Sequence, residues 1–376
     1  MTERRQFLSA VAAGAAAMVA SPLLSGCAAH VGRAPASPAA LPLNSSESTG
    51  RHYRPRYRFG LGGVPLAGAF KPTSSADAEG ALEAAWAGGV RYFDTSPWYG
   101  IGRSERRMGH FLSEQKRDDY VLSTKVGRLL LPGNPPDSKV WPSPPPFHRV
   151  YDFSADGVRR SIEDSLQRLG VDRIDMVFIH DLSPDNRDMG ERWTEYFELA
   201  RKGAMPELIR MREEGLIKGW GLGVNAIEPA LRTLEVSDPD LFLSATQYTL
   251  LRHHDSLTRL QPACAARGVS LIIGSPLNVG FLCGVERMDY LAPITDDLRE
   301  RRARLQRIAR AHGVDLRTAA LQFSGAPDVV AAVLVGARNA VQMREDIASW
   351  GEKIPSDFWA ELKREQLIPE QAPVPA

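Results

Sequence analysis

Eight short apolar runs, separated by stretches with helical periodicity, constrain this chain more than any other feature. They fall at residues 57–62, 90–94, 120–125, 174–180, 218–224, 241–246, 269–274 and 330–335. Most show little polar alternation, as in strands of a parallel sheet covered on both faces. The segments between them carry helix signals. Ser154 is placed to cap a helix with Val158, Ile162, Leu166 and Leu169 on one face, and Gly170 is placed to end it. "DDLRERRARLQRIARAHG" and "ARNAVQMREDIASW" read the same way. Eight such units predict a single-domain α/β fold, the (β/α)8 TIM barrel, over residues 56–370 with a short tail at 371–376. An open doubly wound sheet is the competitor, but "GLGGVPLAG" after the first run lacks the spacing of a dinucleotide-binding turn.

The long excursions follow the third, fourth and seventh strands, at the C-terminal face where barrels carry their chemistry. Rich in proline and aromatics, they are expected to form a lid and pocket wall. Three polar groups stand at strand ends on that face: Asp94 after the second run, Lys125 after the third and His180 after the fourth. Tyr99 follows Asp94 by five residues, inside "DTSPWYG". Each has a plain structural reading alone; together on adjacent strands they suit proton transfer at a carbonyl or alcohol oxygen. A free phenol titrates near pH 10 and is a poor acid or base at neutrality. A neighbouring ammonium is expected to lower it, and a carboxylate to hold that ammonium charged. A histidine can orient the oxygen. The set holds neither nucleophile nor metal, so a nicotinamide is the expected source of hydride. Trp98 is expected to wall the substrate pocket beside His180.

"FDTSPWYGIGRSERRMG", "VLSTKVGR", "RSIEDSLQRLGVDRIDMVFIHD" and "GLIKGWGLGVN" resemble successive signatures of the aldo-keto reductase superfamily. Details such as "DFSADGVRRSIEDSLQRLG" and "QYTLLRHHDSL" resemble its branch of D-threo-aldose 1-dehydrogenases, L-fucose (galactose) dehydrogenases and pyridoxal 4-dehydrogenases. The resemblance implies reversible hydride transfer between NAD(P)(H) and an aldose, lactol or small aldehyde. It makes Asp94, Tyr99, Lys125 and His180 the catalytic tetrad, with Tyr99 as general acid/base. It places cofactor contacts at Gly63, Val64, Asp94, Asn225, Gln247, Ser275, Pro276, Leu277, Asn278, Gly280 and Leu282. A phosphate-proximal group follows at Gly336, Arg338, Gln342, Glu345 and Asp346. Gly274 stands where many members carry an aromatic that stacks on nicotinamide. Gly336 and Gln342 replace the lysine and arginine of NADPH-specific members. Arg338 remains to meet a 2′-phosphate, which tilts the reading to NADP(H) over NAD(H). A non-catalytic nucleotide sensor or redox-partner module of the same fold is the alternative function.

Other features narrow the setting. With 46 basic and 45 acidic residues, the net charge of +1 offers no field for nucleic acid. The three cysteines, Cys27, Cys264 and Cys283, are too few and too scattered for a disulfide framework, and no metal site is expected. Residues 1–27 read as an export signal. Arg4-Arg5-Gln6-Phe7-Leu8 looks like a twin-arginine motif, although Glu3 precedes the pair, and Leu24-Ser25-Gly26-Cys27 resembles a lipobox with Cys27 as the lipidated residue. Residues 28–55, rich in Ala, Pro and Ser, read as a flexible tether. These signals predict a periplasmic or envelope-anchored lipoprotein. Its cofactor is expected to be loaded before export, then recycled in place by a second substrate or a redox partner.

Overall fold

The computed structural model describes residues 41–375; Arg4, Arg5 and Cys27 lie outside the described residues. Eight parallel strands close into a barrel: β1 Phe59–Gly62, β2 Tyr92–Asp94, β3 Val121–Val126, β4 Met176–His180, β5 Gly219–Val224, β6 Leu241–Ala245, β7 Ser270–Gly274 and β8 Val330–Val335. Each pairs with its neighbours in sequence, and β8 pairs with β1 to close the ring. β8 has the bounds expected from sequence; the others differ by one or two residues at an end.

The inward faces fill the barrel with Tyr92, Val121, Met176, Phe178, Leu241, Leu243, Ile272 and Leu334 among others. Helices bury the outward faces. Ala155–Leu169 begins where the Ser154 hydroxyl accepts the Gly157 N–H and ends at Gly170, whose φ of 65° is the left-handed stop expected of it. Its Val158, Ile162 and Leu169 are buried, and Leu166 packs against the same core. Asp296–Ala311 and Ala340–Gly351 form where their apolar spacing places them, capped by Thr295 and Asn339.

Two hairpins were not expected. The excursion after β3 forms an antiparallel pair, Arg128–Pro132 with Phe147–Tyr151, that stands over the barrel mouth. The second corrects the tether reading of residues 28–55 for its described part. From Leu43 the chain is ordered, with Ser48–Thr49 paired to His52–Tyr53 and Leu43 bridged to Tyr57. Remote partners hold it: the Tyr53 N–H donates to Asp240 Oδ1 at 3.0 Å, Arg51 and His52 meet Asp238, and the Asn44 amide donates to the Ala331 carbonyl. Tyr53 and Tyr57 thereby plug the N-terminal end of the barrel. At the other terminus the tail is also anchored, because Ala372 and Val374 pack on the core.

β5 and β6 approach closely because β5 is "GWGLGV". A Cβ at Gly221 would stand 1.6 Å from the Leu241 carbonyl oxygen. Gly221→Ala is therefore expected to cost at least about 3 kcal/mol of unfolding free energy, read as a lowered urea midpoint.

Candidate active site

Alternation along β3 builds the floor of the site. Ser123 and Lys125 point into the barrel, whereas Thr124 points outward to Glu105 at 2.8 Å. Lys125 is 1% and Asp94 2% exposed. The ammonium donates to both Asp94 oxygens, at 2.9 and 2.8 Å, and to the Thr95 carbonyl at 2.9 Å. Its three protons are thus all engaged. Ser123 adds a 2.6 Å bond to Asp94, and Tyr92 lies 3.2 Å behind Ser123. Gly223 on β5 leaves room for the lysine stem, since a Cβ there would lie 3.2 Å from Lys125 Cε.

Over this floor, the turn after β2 brings in Tyr99. Its ring lies with its centroid 4.8 Å from Lys125 Nζ and meets His180 edge to face at 5.6 Å. The four residues of the tetrad line one cleft of about 480 Å³, with Trp98 in its wall. Trp98 packs edge-on to Trp141 at 6.3 Å, under the Arg149 guanidinium at 4.3 Å.

The electrostatics correct one expectation. Burial, reinforced by Asp94, holds the Tyr99 phenol well above its ordinary value, opposite to the direction expected from Lys125. The physical reason is cancellation, because Asp94 neutralises the ammonium at contact distance and leaves desolvation to dominate. Burial likewise pushes the Asp94 carboxyl up, against the pull of Lys125 and Ser123. It holds His180 well below the usual imidazole range, helped by Arg128 and Lys125. The resting site therefore presents a protonated phenol and a neutral imidazole.

The residues expected at the cofactor divide. Val64, Asp94, Asn225, Ser275, Pro276, Leu277, Gly280, Gly336, Arg338, Gln342 and Asp346 line the cleft. Gly63, Gln247, Asn278, Leu282 and Glu345 do not. Gly63 donates its N–H to the Asp94 carbonyl at 2.8 Å, and a Cβ on it would collide with Ser104. Gln247 bonds the Asn225 carbonyl at 2.6 Å, Asn278 is fully buried against Asp289, and Leu282 belongs to the core. Glu345 pairs with Arg317 at 2.6 Å.

The sequence pattern of the Aldo/keto reductase family matches residues 58–365. The chain is 36% identical over 321 residues to D-threo-aldose 1-dehydrogenase of Pseudomonas sp, covering 82% of this chain and 94% of that one. The chain belongs to the aldo/keto reductase family. It is similar also to pyridoxal 4-dehydrogenase of Microbacterium luteolum, at 38% identity over 326 residues with the same coverage. In fold it matches the holo form of an aldo-keto reductase from Bacillus halodurans, with a TM-score of 0.61 at 22% identity over 85% of this chain and 94% of that one. This aldo/keto reductase is an NAD(P)-dependent oxidoreductase.

The cleft fits such a cofactor. Around the ring, β7 and β8 lie opposite β3 and β4, and the loops beyond them carry Arg287 and Arg338. Among the described residues neither guanidinium has a carboxylate partner. Arg287 donates to the Val279 carbonyl, and Arg338 to the Ala69 and Lys71 carbonyls and Thr73 Oγ1. Two uncompensated cations on one wall suit the phosphates of a dinucleotide. At the β3–β4 side Arg128 pairs with Asp181 at 3.0 Å and Arg149 with Asp188, and the remaining Asp185 and Arg187 are of opposite sign.

Several residues of the site were missed from sequence. Ser123 sat unremarked inside "VLSTK". Arg128 and Asp181 follow Lys125 and His180 closely, and an arginine within the apolar run "VGRLLL" was a usable signal. Tyr290 had none: its hydroxyl reaches Ser275 at 2.9 Å through a loop in which Asp289, Tyr290 and Leu291 all have positive φ, at 39°, 56° and 81°.

Lys125→Met leaves Asp94 buried without its counter-charge and is expected to cost about 3 kcal/mol or more in urea unfolding at neutral pH. The Asp94→Asn/Lys125→Met pair should recover much of that loss.

Proposed function

We propose that this aldo/keto reductase interconverts a neutral, polyhydroxylated carbonyl compound and its alcohol or lactone, an aldose or lactol before a simple aldehyde. The observation that carries this reading is the meeting, in one cleft, of the protonated Tyr99 phenol and the neutral His180 imidazole above the Asp94–Lys125 pair. A bound nicotinamide would supply or accept the hydride. Tyr99 gives its proton to the carbonyl oxygen in reduction and takes it back in oxidation. His180 donates a hydrogen bond to that oxygen and fixes its direction. Lys125 and Asp94 hold the floor as a charge-balanced unit. The substrate class is supported by the paired charges at the β3–β4 side, which leave no net field for an ionic substrate, and by the aromatic wall of Trp98 and Trp141, which suits a sugar face. The likeness to a D-threo-aldose 1-dehydrogenase supports the same class.

NADP(H) is the favoured cofactor in this reading, on the strength of Arg338 at the start of the Ala340–Gly351 helix. Asp346 opposes it only in part: burial pushes its carboxyl up to about 7, against the pull of Arg317.

Tyr99→Phe is expected to reduce turnover of an aldose and aldehyde panel by about 10³-fold while dinucleotide binding, followed by fluorescence, persists. Unchanged turnover in that variant would defeat the reading. A second outcome follows from the raised phenol. Reduction uses the resting protonated form and should vary little between about pH 6 and 8, whereas oxidation needs the phenolate and should rise with pH without levelling off up to about pH 10.

We also infer an exported, Cys27-lipidated form that carries its dinucleotide with it and regenerates it in place through a second substrate or redox partner. The order of the Arg4-Arg5 and Leu24–Cys27 signals supports this. Envelope fractions should yield protein with a diacylated N-terminal peptide and release one nicotinamide dinucleotide on denaturation. Cytoplasmic, unlipidated protein would exclude it.

A further inference from the structure

Arg128 belongs to neither the expected tetrad nor the expected cofactor contacts, yet it is 4% exposed at the centre of the cleft. Gly127 puts it there. At a φ of 99°, with the Phe153 ring 2.5 Å from where a Cβ would stand, this glycine turns the chain at the end of β3. The guanidinium then sits between two aromatic faces, 5.2 Å from the Trp98 centroid and 5.5 Å from that of Tyr151.

From that position its Nη1 lies 2.8 Å from His180 Nδ1 and 3.0 Å from Asp181 Oδ2. A guanidinium can only donate, and it does not lose its proton in any ordinary pH range. Nδ1 of His180 must therefore offer a lone pair. The Ser96 hydroxyl lies 3.0 Å from the same nitrogen and accepts the Trp98 N–H at 3.0 Å; with Nδ1 unprotonated, the contact with Ser96 can only be one in which the hydroxyl donates. Nε2 is left as the protonated nitrogen. It stands 3.5 Å from Asp181 Oδ2, at the outer limit of a hydrogen bond, and is free to exchange that contact for an oxygen in the cleft. The other tautomer would set an N–H against the guanidinium and turn a lone pair toward the substrate oxygen.

We propose that Arg128 is a positioning residue that locks His180 as its neutral Nε2–H tautomer, making the histidine a fixed hydrogen-bond donor to the reacting oxygen. This rests on the role given to His180 in the proposed function. The groups facing the imidazole agree with it. Lys125, from β3, and Arg128 both oppose a second proton. Asp181, on the chain beyond β4, faces Nε2 and favours the proton there, while Tyr99 and Ser96 from the turn after β2 are neutral. Lysine would not serve equally, because an ammonium lacks the plane that lies between Trp98 and Tyr151.

The test is ¹⁵N NMR of the full-length, histidine-labelled protein, with the His180 signal identified by its loss in His180→Gln. In wild type, Nδ1 should show the unprotonated and Nε2 the protonated shift, without titration between about pH 5 and 8. Arg128→Met should mix the tautomers and move the His180 midpoint upward by at least about one unit. The acid limb of kcat should move up with it, with kcat falling about 10²-fold and KM changing little. Added methylguanidine should restore part of the rate. Because Asp181 loses its counter-charge in that variant, Arg128→Met/Asp181→Asn provides the same readout in a charge-balanced cleft. A wild-type tautomer and no titration in both variants would overturn the proposal. Released tautomers with unchanged turnover would uphold the lock and defeat instead the role given to His180 in catalysis.

Discussion

Everything polar in the mouth of this barrel depends on one buried ion pair. Placing Lys125 in the interior is costly unless its charge is met at contact, and Asp94 does so with both oxygens. Pairing by itself does not make a fold more stable than well-packed apolar residues would. What it contributes is definition. The lysine has no proton to spare and the carboxylate is further bound by Ser123, so neither can rotate. The next layer, Tyr99 and His180, packs on a surface with fixed geometry and no net charge.

The cleft then works by exclusion of water more than by strong fields. Both Tyr99 and His180 are held uncharged chiefly by burial, and a neutral donor pair can meet a carbonyl oxygen without reorganising solvent. A phenol with a lowered pKa would be partly ionised at neutrality; the phenol seen here keeps its proton. The opposite wall is built on another principle, since Arg287 and Arg338 keep their charge and are satisfied only by carbonyl and hydroxyl oxygens. One cavity thus has a charged wall and a more nearly balanced one facing each other.

The barrel was legible because its signals are local. Apolar runs, a Ser154 cap and a Gly170 stop are each written within a few residues, and strand order in a barrel repeats chain order. The meeting of Asp94, Tyr99, Lys125 and His180 in one cleft was legible for the same reason, as three polar groups at three strand ends with a tyrosine in the turn after one of them. Less could be read where the partner is remote. The hairpin at Ser48–Tyr53 depends on Asp238 and Asp240, nearly 190 positions away, and composition alone made it a tether. Gly63 and Gln247 were placed correctly in the chain, but they hold the backbone of Asp94 and Asn225 and do not line the cleft. For the Tyr99 phenol, the sequence supplied the charged neighbours but not the burial that outweighs them. Tyr290 arrives through an irregular loop with no periodicity to announce it.

The plug of Tyr53 and Tyr57 has a consequence for where force meets the barrel. Pro42 and Asn44 hydrogen-bond beside the start of β1 and to Ala331 near the start of β8, so the chain enters the barrel at its base. The cleft opens at the far end. The first described residues thus stay clear of the mouth, and a pull on them would load the Pro42, Leu43 and Asn44 contacts at the base before it could reach the strand ends that hold Asp94 and Lys125.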